Sequence, residues 1–292
     1  MGFLPPLRMN VPVALLRATA LELAALAAHM IVYPSGLIPE RRACGPAPSG
    51  PPPPDPADRD LPAGHGAPAP SAPRTRSPGH PPAVLLHGFA DNRSVFVLLR
   101  RFLAHQDGRP VESLNYSPLT CDIRAAAELL GRHVEETCAR TGRGRVDIVG
   151  HSLGGLVARY YVQRLGGDGR VRTLVMLGTP HRGTSVAPLA GAHPLVRQMR
   201  PGSAVIEELA LPAPGCRTRF VSFWSDLDQI MVPLETARLE HPDLMVRNVR
   251  VSGIGHLALP VHPAVAAGIR EALDVPGAGA ESDGGVGSLP AA

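Results

Sequence analysis

Five residues constrain this chain more than any other stretch. Gly150-His151-Ser152-Leu153-Gly154 follow an apolar run, Val146-Asp147-Ile148-Val149, and open a segment of helical spacing from Leu153 to Leu165 that Gly166-Gly167 ends. A serine at so sharp a strand-to-helix turn is held in a strained backbone conformation, and the residues two positions to either side must lack bulky side chains for the turn to close. Gly150 and Gly154 meet that requirement. A serine that merely capped a helix would need no apolar strand before it.

Residues 83–275 repeat this strand-then-helix rhythm. Ala83–Leu86, Val111–Tyr116, Arg145–Val149, Val171–Leu177, Arg219–Trp224 and Met245–Val251 read as short apolar strands. Ser94–His105, Asp122–Arg140, Leu153–Leu165 and Pro263–Leu273 have helical spacing. Short apolar strands alternating with helices predict a mostly parallel sheet of about six strands with helices on both faces. In such a sheet the site lies beyond the carboxyl ends of the strands. The segment Thr184–Pro214 has room for one or two short helices, so the expected cap is small.

The flanks read differently. Residues 1–42 hold an apolar stretch, Val11–Tyr33, long enough on paper to cross a bilayer. Arg17, Glu22 and His29 interrupt it, and a charge near the middle costs about 2.5–3.5 kcal/mol on insertion scales. Three readings stand: a helix packed on protein or lying on a membrane surface, a cleaved signal, or a spanning anchor. Proline, 33 residues in all, concentrates in residues 43–82, where PPPPDPADRD and APAPSAPRTRSPGHPP cannot bury enough apolar surface to order themselves. That segment reads as a disordered linker, and residues 276–292 as a disordered tail.

Charge excludes little else. The 29 basic residues are all arginine, set against 25 acids and scattered without a basic cluster interleaved with aromatics, so nucleic acid is not an expected partner. The four cysteines, Cys44, Cys121, Cys138 and Cys216, show no zinc-ligand spacing, and no metal is expected. Cys121 and Cys138 flank a helix that would hold them about 25 Å apart, beyond disulfide reach. Free thiols are expected, with a Cys44–Cys216 bridge as the alternative.

An attacking serine needs oriented amides for the oxyanion it creates. Leu153, at the helix start, supplies one; Phe89 in Leu85-Leu86-His87-Gly88-Phe89 is the second candidate, with Gly88 permitting close backbone approach. His87 fits a loop-shaping role better than a catalytic one. The base should come late in the chain, and His256 in Val251-Ser252-Gly253-Ile254-Gly255-His256 follows a strand and two glycines. His151, His181, His241 and His262 lack that setting, although His181 could line a pocket. The acid lies in Ser225–Pro233, which offers Asp226 and Asp228. Asp228, nearer to Val232-Pro233, is preferred, while Asp226 suits a turn or cap.

These motifs, with Leu177-Gly178-Thr179-Pro180-His181-Arg182-Gly183-Thr184, together resemble a bacterial triacylglycerol lipase or esterase of the α/β-hydrolase superfamily, in particular the small actinobacterial and minimal lipases without a large cap. The resemblance runs from about Pro82 to Val275. It implies an α/β-hydrolase fold and hydrolysis of acyl-ester or lipid substrates through an acyl-enzyme on Ser152, with no cofactor. An acyltransferase or thioesterase using the same residues is the alternative, and a non-catalytic scaffold the remote one. The N-terminal helix and the linker depart from the minimal fold; residues 11–33 are the candidate membrane-surface contact.

Overall fold

A computed structural model describes residues 10–37, 80–89, 91–117, 122–186 and 193–275. Most of the linker, the tail, Cys44 and Cys121 lie outside the described residues. The element order is α1 (Asn10–Leu37), β1 (Ala83–Leu86), α2 (Val97–Asp107), β2 (Val111–Leu114), α3 (Ile123–Thr141), β3 (Val146–His151), α4 (Leu153–Arg164), β4 (Val171–Leu177), α5 (Pro194–Gln198), α6 (Ala204–Ala210), β5 (Arg219–Ser225), β6 (Met245–Val251) and α7 (Pro263–Asp274).

The six strands form one sheet in the order β2-β1-β3-β4-β5-β6, and every pairing is parallel. This is the α/β-hydrolase arrangement expected from the sequence. Strand order reverses between β1 and β3, so the loops leaving those two strands part and leave a crevice at the carboxyl edge. Ser152 leaves β3 at that point.

Alternation along the strands divides the core in two. Val84, Leu86, Ile148, Leu174, Met176 and Phe220 meet α3, α4 and α6 on one face. Leu85, Val149, Val175, Leu177, Val221 and Phe223 meet α2 and α7 on the other. Each such side chain, fully buried, contributes about 1.5–3 kcal/mol. At the opposite, amino-terminal edge, fully buried Arg109 and half-buried Arg172 converge on Asp147, with nitrogen–oxygen distances of 2.5 and 2.6 Å. Charged groups this deep persist because each meets an opposite charge.

Boundaries differ from the sequence reading where side chains intervene. The expected helix Ser94–His105 begins instead with a tight 3-10 turn, Arg93–Phe96, because Asn92 Oδ1 accepts the Ser94 amide at 2.9 Å. Between Thr184 and Pro214 the described residues form only α5 and α6. Cys138 and Cys216 carry free thiols.

The helix α1 packs on the domain. Among its residues 19–36, positions 22, 25, 29, 32, 33 and 36 are the partly or fully covered ones, a helical stripe. Among the described residues no helix is long and apolar enough to cross a membrane.

Candidate active site

Ser152 has φ 52° and ψ −118°, and it is the one non-glycine residue with positive φ among those described. The turn is fixed on both sides. Ser152 N–H donates to the Leu177 carbonyl at 2.8 Å, and its own carbonyl accepts from Gly155 N–H at 3.0 Å and Thr179 Oγ1 at 3.2 Å. A Cβ on Gly150 would lie 2.6 Å from Gly155 N, and one on Gly154 2.4 Å from the Leu86 carbonyl oxygen. Backbone packing leaves no room for a side chain at either glycine. Gly155 is equally constrained, since its Cβ would fall on Thr179 Oγ1.

The loop after β1 closes against the serine. A Cβ on Gly88 would lie 3.3 Å from Ser152 Cβ, so no side chain separates the Gly88-Phe89 backbone from the turn. His87 holds this loop: Nδ1–H donates to the Gly88 carbonyl at 2.9 Å, Nε2 accepts from Tyr116 N–H at 3.4 Å, and the ring stacks on Tyr116 with centroids 4.4 Å apart. Burial lowers its pKa, in keeping with a neutral, structural ring. Phe89 is half-buried, its ring nearly perpendicular to that of His193 at the start of α5 with centroids 5.1 Å apart. Leu153 is buried as the first residue of α4.

Across the crevice the structure pairs Asp228 with His256. Nδ1 of the ring lies 2.7 Å from Asp228 Oδ2, while Oδ1 accepts the Ile230 and Met231 amides at 2.9 and 3.1 Å. Asp226 points elsewhere, to Arg250 at 2.9 Å and the Gly253 amide at 3.1 Å. Burial disfavours the charged form of His256, but Asp228, with Glu22 and Asp91 beyond it, outweighs burial and raises its pKa above the ordinary value. Gly178, at φ 53°, leaves room for the pair: its Cβ would lie 3.0 Å from both Asp228 Oδ2 and His256 Nδ1.

The pair and the serine meet through His151. Its ring centroid is 4.8 Å from that of His256, its Nε2 lies 3.2 Å from the His256 carbonyl, and its Nδ1 lies 3.2 Å from Asp91 Oδ2. Asp91 and Gly178 were not singled out by sequence, although each follows a strand end, the signal that could have found them. His181 is a core residue, its Nε2 3.0 Å from Ser222 Oγ and its pKa driven well below normal, first by burial and then by the Arg159 charge. Arg159 on α4 donates to the carbonyls of His181 and Leu209, tying α6 to the site's floor. His241 bonds the Leu211 carbonyl and His262 caps α7. Among the described residues no group of three or more His, Cys, Asp or Glu side chains could hold a metal.

A parallel six-stranded sheet with a buried His–Asp pair at its carboxyl edge defines a hydrolase-type enzyme of the α/β-hydrolase superfamily. The chain belongs to the palmitoyl protein thioesterase family, whose sequence profile matches residues 82–230. It is also similar to triacylglycerol lipases of Pseudarthrobacter phenanthrenivorans and Burkholderia plantarii, each 30% identical over 113 residues. That stretch is 36% of this chain and 35% and 31% of theirs, about a third of these relatives' length. Among solved structures, Bacillus licheniformis lipase BlEst2 in its mature form aligns with TM-score 0.58 at 16% identity, over 68% of this chain and 94% of that one. Aspergillus fumigatus lipase B aligns with TM-score 0.58 at 17% identity, over 68% and 53%. These likenesses establish the fold.

Proposed function

We propose that the protein is a serine carboxyl-ester hydrolase of the lipase/esterase kind, with Ser152 as nucleophile, His256 as base and Asp228 as the acid that orients it. The observation that carries this reading is the contact of His151, the residue before the strained serine, with the ring of His256. It sets a buried His–Asp pair beside the turn that presents Ser152.

Asp228 accepts the Nδ1–H bond, which leaves Nε2 free to take the Ser152 hydroxyl proton as Oγ attacks the acyl carbon. The C=O electron pair moves to oxygen, where the Leu153 and Phe89 amides hold it. His256 then gives the proton to the departing alkoxide as the ester bond breaks. Water, deprotonated by the same ring, cleaves the acyl-enzyme to the free acid and restores Ser152.

A second reading, supported by the family match at residues 82–230, is thioesterase activity, in which a thiol leaves in place of the alcohol. Lipid is the favoured source of the acyl group. The outward side of α1 exposes Leu23 at 62%, Met30 at 64% and Ile31 at 80%, and α2 adds Leu98 at 60%. Between the two helices a groove of about 620 Å³ is lined by Leu21, Ala25, Leu26, Val97, Leu98 and Leu257, among others. Exposed aliphatic patches of this kind suit a membrane surface, with α1 lying in its plane.

The test is a turnover profile of the full chain on p-nitrophenyl esters of increasing acyl length and on acyl-coenzyme A thioesters of the same lengths. Faster turnover of the oxygen esters supports the esterase reading, the reverse preference transfers the proposal to a thioesterase, and turnover of neither overturns both. Co-sedimentation with phosphatidylglycerol vesicles tests the surface contact: Ile31→Asp should weaken binding about tenfold or more, given the roughly 1.5–3 kcal/mol carried by one such side chain, and unchanged binding removes α1 from that role.

A further inference from the structure

We infer that α1 is part of the active site, with Glu22 as the positioning residue for the loop that carries His256. This rests on His256 being the base. Glu22 is the only carboxylate between residues 11 and 33, in a helix otherwise rich in alanine and leucine. Its side chain is partly buried against the enzyme. Oε2 accepts the Leu257 amide at 3.0 Å and Oε1 the Ala258 amide at 2.9 Å. A Cβ on Gly255 would lie 2.4 Å from Glu22 Cδ, so the glycine before His256 is what admits the carboxylate.

His256 is thus held through its backbone neighbours, its carbonyl and its Nδ1. The residue before it lies under Glu22, the two after it donate to Glu22, its carbonyl meets His151 Nε2 at 3.2 Å, and its Nδ1 meets Asp228. Two charge-assisted bonds from one carboxylate to consecutive amides fix both the position and the tilt of that short turn. His29, seven residues on and so two turns along the same helical face, has Nε2 3.4 Å from Asp91 Oδ1, whose other oxygen faces His151. The far end of α1 is held as well: Asn92 Nδ2 donates to the Tyr33 carbonyl at 2.9 Å and Asn115 Nδ2 to that of Gly36 at 2.6 Å. The residue that interrupts the apolar stretch in sequence is the one that docks the helix on the base.

The charge of Glu22 also acts on the ring. The groups facing His256 are Asp228 from the loop after β5, Glu22 from α1, Asp91 from the loop after β1 and His151 at the end of β3. Removing the Glu22 charge takes away one of the influences that hold the His256 pKa up.

The test uses the full chain with p-nitrophenyl butyrate, a soluble substrate that needs no lipid surface. Glu22→Gln keeps the side chain's length, but its amide NH₂ must face one of the two amide donors; Glu22→Ala removes both acceptors. The expected result is a fall in kcat of about tenfold to a hundredfold, the cost of a small misplacement of a reacting group, with KM within about twofold. The acid limb of kcat/KM moves to lower pH, and amide exchange at Leu257 and Ala258 quickens. Glu22→Asp recovers part of kcat, and Ala27→Gln, on the exposed side of α1, leaves it unchanged. Wild-type kcat and pH profile in folded Glu22→Gln and Glu22→Ala would overturn the proposal. If those variants fail to fold, unchanged kcat and unchanged exchange at Leu257 and Ala258 in Glu22→Asp do the same. Ser152→Ala, assayed in parallel, separates the two levels. Residual turnover there strikes the reading of Ser152 and His256, whereas a silent Ser152→Ala beside a fully active Glu22→Gln strikes Glu22 alone.

Discussion

Asp228 uses both carboxylate oxygens at once: Oδ2 lies 2.7 Å from His256 Nδ1, and Oδ1 accepts the amides of Ile230 and Met231. The two backbone bonds leave the carboxylate one orientation, and that orientation fixes which ring nitrogen carries the proton. Asp226, two residues earlier, is committed to Arg250 on β6 and to the Gly253 amide just after that strand.

Asp228→Asn should therefore lower kcat on a p-nitrophenyl ester by about four orders of magnitude, the scale of losing the orienting acid in a serine triad. Asp226→Asn breaks an ion pair whose Arg250 partner is largely exposed and should change kcat less than about threefold. Steady-state kinetics of the two variants side by side decides the assignment, and the opposite ranking moves the role to Asp226.

The raised pKa of His256 sets the pH dependence. As the proposed base, His256 works unprotonated, so the acid limb of kcat/KM should lie above the ordinary histidine value of about 6.5. Stability follows the same group with a definite sign. Because the folded value exceeds the unfolded one, the ring's contribution is fully present below pH of about 6.5 and is lost as pH rises through the folded value. A kcat/KM profile with its acid limb below 6.5 contradicts the electrostatic account.

Gly154→Ala should cost about 1–3 kcal/mol, because the new methyl meets the Leu86 and His87 carbonyl oxygens, which belong to the backbone and cannot step aside. Thermal unfolding should fall by several degrees. Gly169→Ala, where an added Cβ has open space, is the matched control and should melt as the parent does.

Asp147→Ala removes the shared partner of Arg109 and Arg172 and leaves the fully buried Arg109 guanidinium without its closest acid. A loss of about 3–5 kcal/mol is expected in denaturant unfolding. The site lies at the other edge of the sheet, so activity per folded molecule should stay near that of the parent.

Much of the fold was legible because it is local. The six strands and the helices between them announce themselves through apolar runs and 3.6-residue spacing, and the turn at Ser152 through two glycines whose absent side chains the backbone demands. The roles of Glu22, Asp91 and Gly178 were not legible, because each is defined by residues far away in sequence. Glu22 meets amides 235 and 236 residues later and Asp91 meets His151 60 residues later, while Gly178 makes space for Asp228 and His256. Hydropathy counts Glu22 only as a charge in an apolar helix; it carries no information on what the charge meets. Sequence separates Asp228 from Asp226 only by position near Val232-Pro233, whereas their partners, His256 Nδ1 for one and Arg250 with the Gly253 amide for the other, are set by residues far along the chain.

Covalent labelling reads directly whether Ser152 is the nucleophile. The folded protein treated with a fluorophosphonate should gain one adduct, located by peptide mass spectrometry on Ser152, with turnover falling in proportion to labelling. Ser152→Ala should take no label and hydrolyse no ester while melting with the parent. An adduct on another residue, or undiminished hydrolysis by folded Ser152→Ala, contradicts the account.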